Sequence, residues 1–312
     1  MNVILLFPGQ GSQKPGMGKE LAAAFPVARE TFETVDEVLG FPLSTLCFDG
    51  HADVLTLTRN AQPALYAHGA ATWAVVRELL VNRVVAAAGH SLGEVTAYHA
   101  AGSVSVADGT SLVRRRGEAM VDVGSELAGT MMAIIGKLNT PIDVICEQAS
   151  KEAGLVVPAN YNTEEQVVIS GVVAGVERAA ELAKAAGARR ALHLAVSGAF
   201  HSPLMKPVEI EFSGAISQTP FADPEFPVFS NVTAQACSTA AEARSLLLRQ
   251  ITAPVRWLEE VRRMTAAYPG ALYVELGPGS VLAGLVSRII PGARTVSVGA
   301  PADLDKLATA LG

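Results

Sequence analysis

The chain reads as an α/β protein whose larger domain is interrupted by a small ferredoxin-like unit. Three observations lead there. First, an apolar run, Val84–Ala88, enters Gly89-His90-Ser91-Leu92-Gly93 and leaves as a helix-compatible stretch, Glu94–Ala101. Strand, tight turn and helix form the setting in which G-x-S-x-G becomes a nucleophile elbow. Second, short apolar strands alternate with segments of helical period along most of the chain. Third, between residues 128 and 196 the order becomes β-α-β-β-α-β, the ferredoxin-like unit. The expected division is 1–127 with 197–312 for the larger domain and 128–196 for the insert.

Taken in order, Asn2–Phe7 is a buried strand running into the loop Pro8-Gly9-Gln10-Gly11-Ser12-Gln13. That loop lacks both a G-K-[ST] ending and G-x-G-x-x-G, so nucleotide binding is not expected. Lys19–Leu39 has helical spacing and stops at Gly40, whereas Leu43–Phe48 is ambiguous. Gln62-Pro63 opens a helix to about Leu80, with proline tolerated in its first turn. The elbow follows, then a helix over Ser105–Val121 carrying Arg114-Arg115-Arg116. In the insert, Thr130–Ile135, Leu155–Asn160, Gln166–Ser170 and Arg190–Val196 are strands. Thr140-Pro141 is an N-cap and first-turn pair for a helix to about Ala153, and Val172–Ala186 is the second helix, ending at Gly187. The loop Ser197-Gly198-Ala199-Phe200-His201-Ser202-Pro203 precedes a helix to about Ser217, and Pro227–Ser230 is a short strand ending at Asn231. Helices over Ala240–Ile251 and Pro254–Ala267, a strand Leu272–Leu276, a helix Val281–Ile290, a strand Thr295–Val298 and a helix Asp303–Leu311 complete the chain.

Half of the 312 residues are hydrophobic and 17% are charged, which is a globular composition with ample core. No apolar run approaches the ~18 residues that a membrane span needs. Met1–Phe7 has no basic n-region and reads as a core strand rather than a signal peptide. Cys47, Cys146 and Cys237 are odd in number and far apart, as expected of packed, reduced thiols in a cytoplasmic chain rather than of disulfides or a zinc site. A net charge of −6, with no basic tract beyond the arginine triplet, argues against nucleic acid as a partner.

A serine nucleophile needs a base and donors for an oxyanion. The two flanking glycines suit a turn that pushes Ser91 outward, at a helix N-terminus that favours negative charge. The plainer alternative is a small-residue turn with a serine N-cap. Of the six histidines, His51, His68, His99 and His193 read as surface or packing residues. His90 adjoins Ser91 in the turn, where it can line a pocket but is directed away from the serine oxygen. His201 lies in a loop just after a strand, where chemical side chains are commonly presented. Spacing alone leaves it open between a base and a satisfied loop histidine. No carboxylate stands out as a third member. Successive helical positions point about 100° apart, so at most one or two of the three arginines face inward. An inward arginine would suit a carboxylate, held through two parallel hydrogen bonds, and a solvated basic face is the alternative.

Set together, these residues resemble the malonyl-CoA:acyl-carrier-protein transacylase family over essentially the full chain. The marks are Phe7-Pro8-Gly9-Gln10-Gly11-Ser12-Gln13, Gln62-Pro63-Ala64-Leu65, Gly89-His90-Ser91-Leu92-Gly93-Glu94, and Arg116-Gly117 with Met120. Further marks are Gln166-Val167-Val168-Ile169-Ser170-Gly171, Gly198-Ala199-Phe200-His201-Ser202, Pro254-Val255-Arg256-Trp257 and Glu275-Leu276-Gly277-Pro278-Gly279. The resemblance implies an α/β-hydrolase-like large domain with a ferredoxin-like insert. It implies Ser91 as the acylated nucleophile, His201 as its base, and the backbone carbonyl of Gln250 in place of the missing acid. The backbone N–H groups of Gln10 and Leu92 would form the oxyanion hole. Arg116 would clamp the malonyl carboxylate, with Gln62 orienting it and His90 and Phe200 lining the site. Phe200 before His201 matches a pattern associated with malonyl over methylmalonyl selectivity in related modular acyltransferases. Val121 departs from the family's frequent Gln after this Met, which bears on acyl selectivity, and Ser103–Ala107 departs from a more apolar run.

The implied reaction is ping-pong. Malonyl-CoA acylates Ser91, CoA leaves, and the phosphopantetheine thiol of an acyl carrier protein takes the malonyl group. No metal and no bound cofactor are needed; malonyl-CoA is a substrate. Lys184, Arg189 and Arg190 are a candidate docking patch for an acidic carrier, or ordinary surface charge. A transacylase of fatty-acid synthesis leads. An acyltransferase serving a polyketide synthase and the transacylase subunit of a malonate decarboxylase share its chemistry. A serine hydrolase or thioesterase is a different class, as is a non-catalytic carrier-binding module. A buried arginine argues against a simple esterase, because such a cation is costly without a carboxylate partner.

Overall fold

The computed structural model describes residues 1–126, 129–196 and 198–312. Strand β1 (Val3–Phe7) is followed by helices α1 (Lys19–Ala24), α2 (Pro26–Leu39), α3 (Leu43–Asp49), α4 (Ala52–Thr56) and α5 (Thr58–Leu80). Strand β2 (Val84–Gly89) leads into α6 (Leu92–Ala100) and α7 (Val106–Glu126). The next block is β3 (Gly129–Ile135), α8 (Ile142–Ala153), β4 (Val156–Thr163), β5 (Gln166–Val172), α9 (Val173–Ala185) and β6 (Arg190–His193). A 3₁₀ turn, Pro203–Met205, introduces α10 (Lys206–Gln218), β7 (Val228–Phe229), β8 (Ala236–Cys237) and α11 (Ala240–Arg249). The chain closes with α12 (Trp257–Ala267), β9 (Leu272–Leu276), α13 (Val281–Ile289), β10 (Thr295–Val298) and α14 (Leu304–Leu311).

Two sheets organise these elements. The larger has the order β10-β9-β1-β2-β7-β8 and is parallel except for β8, which runs antiparallel to β7. Every residue of the central strand β1 is buried, as the unbroken Val-Ile-Leu-Leu-Phe run requires of a strand covered on both faces. The smaller sheet has the order β4-β5-β3-β6 and is antiparallel throughout, with α8 and α9 packed on one face through Ile145, Ala149, Val176 and Ala180. This is the ferredoxin-like topology. The expected domain boundaries at 127/128 and 197 fall on or beside residues outside those described. Strand β4 ties the small sheet to the segment leading into α12: Tyr161 N–H donates to Val255 O at 2.9 Å, and Val255 N–H donates to Ala159 O at 2.8 Å.

Several element bounds differ from the sequence expectation. The single helix over 19–39 is two, broken where Phe25 is extended ahead of Pro26, because proline disfavours helical geometry in the residue before it. Helix α5 begins at Thr58, so Pro63 lies inside it. Proline cannot donate to the carbonyl of Arg59 one turn back, and Arg114 Nη1 donates to that carbonyl instead at 2.9 Å. Helix α12 starts at Trp257 rather than Pro254, because Val255 is engaged with β4. Pro141, not Thr140, sits at the N-cap of α8, without a side-chain cap. The short elements α4 and β8 have no counterpart in the sequence reading, Leu43–Asp49 resolves as helix, and β6 stops at His193.

Candidate active site

The carboxyl ends of β1, β2 and β7 converge on one crevice, the usual place for a ligand in an open parallel sheet. At the end of β2 the backbone turns so sharply that Ser91 takes φ 52°, ψ −108°, a strained conformation for a non-glycine residue. The turn closes only because its flanks lack side chains. A Cβ on Gly89 would lie 1.9 Å from the Gly93 carbonyl carbon, and one on Gly93 would lie 2.0 Å from Phe7 O.

Ser91 is held from behind by side chains distant in sequence. Its N–H donates to Asn231 Oδ1 at 2.8 Å, and its carbonyl accepts from Gln250 Nε2 at 3.0 Å. Asn231 Nδ2 in turn donates to Gly89 O at 2.8 Å. In front, Ser91 Oγ lies 2.8 Å from His201 Nε2. His201 Nδ1 is 2.9 Å from Gln250 O and 3.1 Å from Ala253 O. Carbonyl oxygens only accept, so Nδ1 carries the proton and Nε2 presents its lone pair to the serine hydroxyl. Burial, reinforced by the nearby Arg116 charge, pushes the His201 pKa down to about 3. The imidazole is therefore neutral at neutral pH and able to accept a proton.

Of the three arginines, only Arg116 turns inward, 2% exposed. Its Nη1 donates to Gln62 Oε1 at 2.8 Å, and its Nη2 donates to Gln250 Oε1 at 3.0 Å and to Ser91 Oγ at 3.1 Å. Burial lowers its pKa to about 10, which leaves it charged at neutral pH. Arg114 stacks on Phe41 and pairs with Glu118, and Arg115 is exposed. Gln62 also donates to Met120 Sδ at 3.2 Å.

A cavity of about 390 Å³ opens over these groups. Gln10, Gln62, His90, Leu92, Arg116, Phe200 and His201 all line it with Ser91. His90 Nε2 reaches across to Asn162 Oδ1 on β4 at 2.8 Å, so its ring faces the small sheet rather than the serine oxygen. Val121 lies outside this cavity, lining a neighbouring one beside Thr56 and Val196. Of the remaining histidines, His68 meets Gly299 O, His99 meets Val104 O and His193 meets Glu177, while His51 is exposed. All three cysteines are free and buried. Among the described residues, no cluster of His, Cys, Asp or Glu is placed to hold a metal, and no helix is long and apolar enough to cross a membrane.

Four site residues escaped the sequence reading: Glu94, Asn162, Asn231 and Glu260. Glu94 carried a readable mark, the single carboxylate of α6, three residues past Ser91. Asn231 closes a strand at the crevice, as Ser91 does. For Asn162 and Glu260 no local pattern points inward.

The arrangement sets a serine hydroxyl against a neutral imidazole with a cation beside them. The chain is 41% identical over 303 residues to the malonyl CoA-acyl carrier protein transacylase of Bacillus subtilis, covering 97% of this chain and 95% of that protein. The acyl-carrier-protein S-malonyltransferase of Bartonella henselae superposes with a TM-score of 0.95, at 40% identity and full coverage of both chains. A malonyl-transacylase solved in complex with a type II PKS acyl-carrier protein superposes with a TM-score of 0.93, at 40% identity over 98% of each chain. With the acyl transferase domain matched over residues 4–301, the chain belongs to the acyl transferase family.

Proposed function

We propose that this protein transfers a malonyl group from malonyl-CoA to the phosphopantetheine thiol of an acyl carrier protein, through a malonyl ester on Ser91, in fatty-acid synthesis. The observation that carries the reading is the buried Arg116 guanidinium 3.1 Å from Ser91 Oγ, a cation where the acyl group's own carboxylate would lie. His201 Nε2 takes the hydroxyl proton as Ser91 Oγ attacks the thioester carbonyl. The N–H groups of Gln10 and Leu92 receive the oxyanion. His201 then returns its proton to the departing CoA sulfur. The carrier's thiol, deprotonated by the same imidazole, attacks the ester and releases Ser91. The Gln250 carbonyl holds the tautomer throughout, and Gln62 orients Arg116 for the substrate carboxylate. Phe200 and His90 wall the cavity. No step draws on a metal or bound cofactor. We read 1–127 with 197–312 as the catalytic domain and 128–196 as its insert, in a cytoplasmic chain.

The test is to incubate the protein with labelled malonyl-CoA and follow label on holo acyl carrier protein beside free malonate. Transfer should dominate; faster hydrolysis than transfer would make the protein a hydrolase.

A further inference from the structure

Behind the elbow lie two carboxyl groups that the acyl-transfer steps do not use. Glu94 and Glu260 are both fully buried. Glu94 Oε2 accepts from Gln250 Nε2 at 2.7 Å and from Asn231 N–H at 3.1 Å, while its Oε1 has no hydrogen-bond partner among the described residues. Among the described residues, the Glu260 carboxyl meets only the Asn231 amide, at 3.0 and 3.3 Å. One side chain, Gln250, thus spans from Glu94 on one end to Arg116 on the other. With two donors, Glu94 is the carboxylate that balances Arg116; Glu260, with one donor and Glu94 nearby, is held neutral. The other groups facing Glu94 are Tyr98 on its own helix and Cys237 on β8. Burial raises both of them, so they stay neutral at neutral pH.

A substrate carboxylate docked on Arg116 changes this balance. One buried cation would then face two carboxylates in a desolvated cluster, which is costly unless one charge is removed. We propose that Glu94 takes up a proton when a carboxylate-bearing acyl group docks on Arg116, making Glu94 a specificity-determining residue that matches the site's charge to its substrate. The inference rests on Arg116 being the carboxylate clamp. Burial holds the Glu94 carboxyl up at about 7 in the free protein, within reach of such uptake at neutral pH. Docking raises the Glu94 pKa further, so protons are bound on docking and affinity falls as pH rises through the free-state value.

The experiment titrates the Ser91→Ala protein, which cannot be acylated, with malonyl-CoA and with acetyl-CoA in buffers of different ionisation heat. Calorimetry then counts protons, and the CoA moiety's own titration cancels between the two ligands. Malonyl-CoA should take up about half a proton more than acetyl-CoA near pH 7 and close to one near pH 8. Its Kd should weaken about tenfold from pH 6 to pH 8 relative to acetyl-CoA. Adding Glu94→Gln should abolish both differences. Equal proton uptake by the two ligands, with a malonyl preference that Arg116→Ala removes, would overturn the inference and leave the clamp standing. Absence of any malonyl preference would overturn the clamp and the inference with it. Uptake that persists in Glu94→Gln would overturn the assignment to Glu94. If that variant does not fold, the comparison of the two ligands on Ser91→Ala decides alone.

Discussion

Arg116 and His201 face Ser91 from two sides, and each sets a measurable property of the reaction. The guanidinium is buried and bonded to three neutral oxygens, with Glu94 reaching it only through Gln250, so an incoming anion can pair with it directly. Arg116→Ala should lower kcat/KM for malonyl-CoA by about 100-fold or more, while acetyl-CoA use changes far less. Steady-state assays with both thioesters check this, and equal losses would remove Arg116 from the clamp role. In the proposed mechanism His201 acts as a base in its deprotonated form, and burial beside Arg116 holds its pKa at about 3. The Ser91 acylation rate should therefore persist well below the ordinary histidine range and fall only as pH drops toward that value. Rapid-mixing acylation across pH 4 to 8 measures it; an acidic limb near 6.5 would mean that His201 is not the buried, neutral base of this structure. At this scale much was legible. Ser91 is marked by its own neighbours. Arg116, Gln62 and the Gln250 carbonyl followed from resemblance, since no local pattern shows which residues of other segments face a serine.

Strand β1, strand β2 and helix α6 meet at the elbow with no room to spare. Gly93 on α6 lies against the carbonyl of Phe7 at the end of β1. Gly93→Ala should destabilise the fold by about 3 kcal/mol or more, because the obstructing atom is backbone in a central strand and cannot turn aside. Thermal or denaturant unfolding of the purified variant checks it, and an unchanged midpoint would show that α6 can move off β1. Element type was mostly readable from period and turn residues. Boundaries shifted where a tertiary partner intervened: Val255 gives up helix for a backbone pair with β4, and α5 runs through Pro63 with Arg114 taking the freed carbonyl. Such trades depend on what lies across the gap, and a sequence window contains only one side of it.

The cavity exists because two sheets are clasped together, with β4 paired to Val255 and Asn162 bonded to His90. Lys184, Arg189 and Arg190, the candidate docking patch for an acidic carrier, are all exposed. Arg189 is paired with Glu165 at 2.8 Å, which reduces its pull on a partner. Arg190→Glu should therefore raise KM for the carrier several-fold and slow its association, leaving the rate of Ser91 acylation by malonyl-CoA unchanged. Separate half-reaction assays read the two, and an unaffected carrier KM would make the patch ordinary surface charge. The sequence alone determined the elbow, since strand, glycines and helix are local sterics written within a dozen residues. It also determined the ferredoxin-like order of the 128–196 block, because strand and helix periods are local too. Only the tertiary structure decided which of six histidines meets Ser91, which of three adjacent arginines is buried, and that Glu94, Asn231, Gln250 and Glu260 form one network behind the nucleophile. Those are matters of distance, burial and charge balance between segments brought together only by folding.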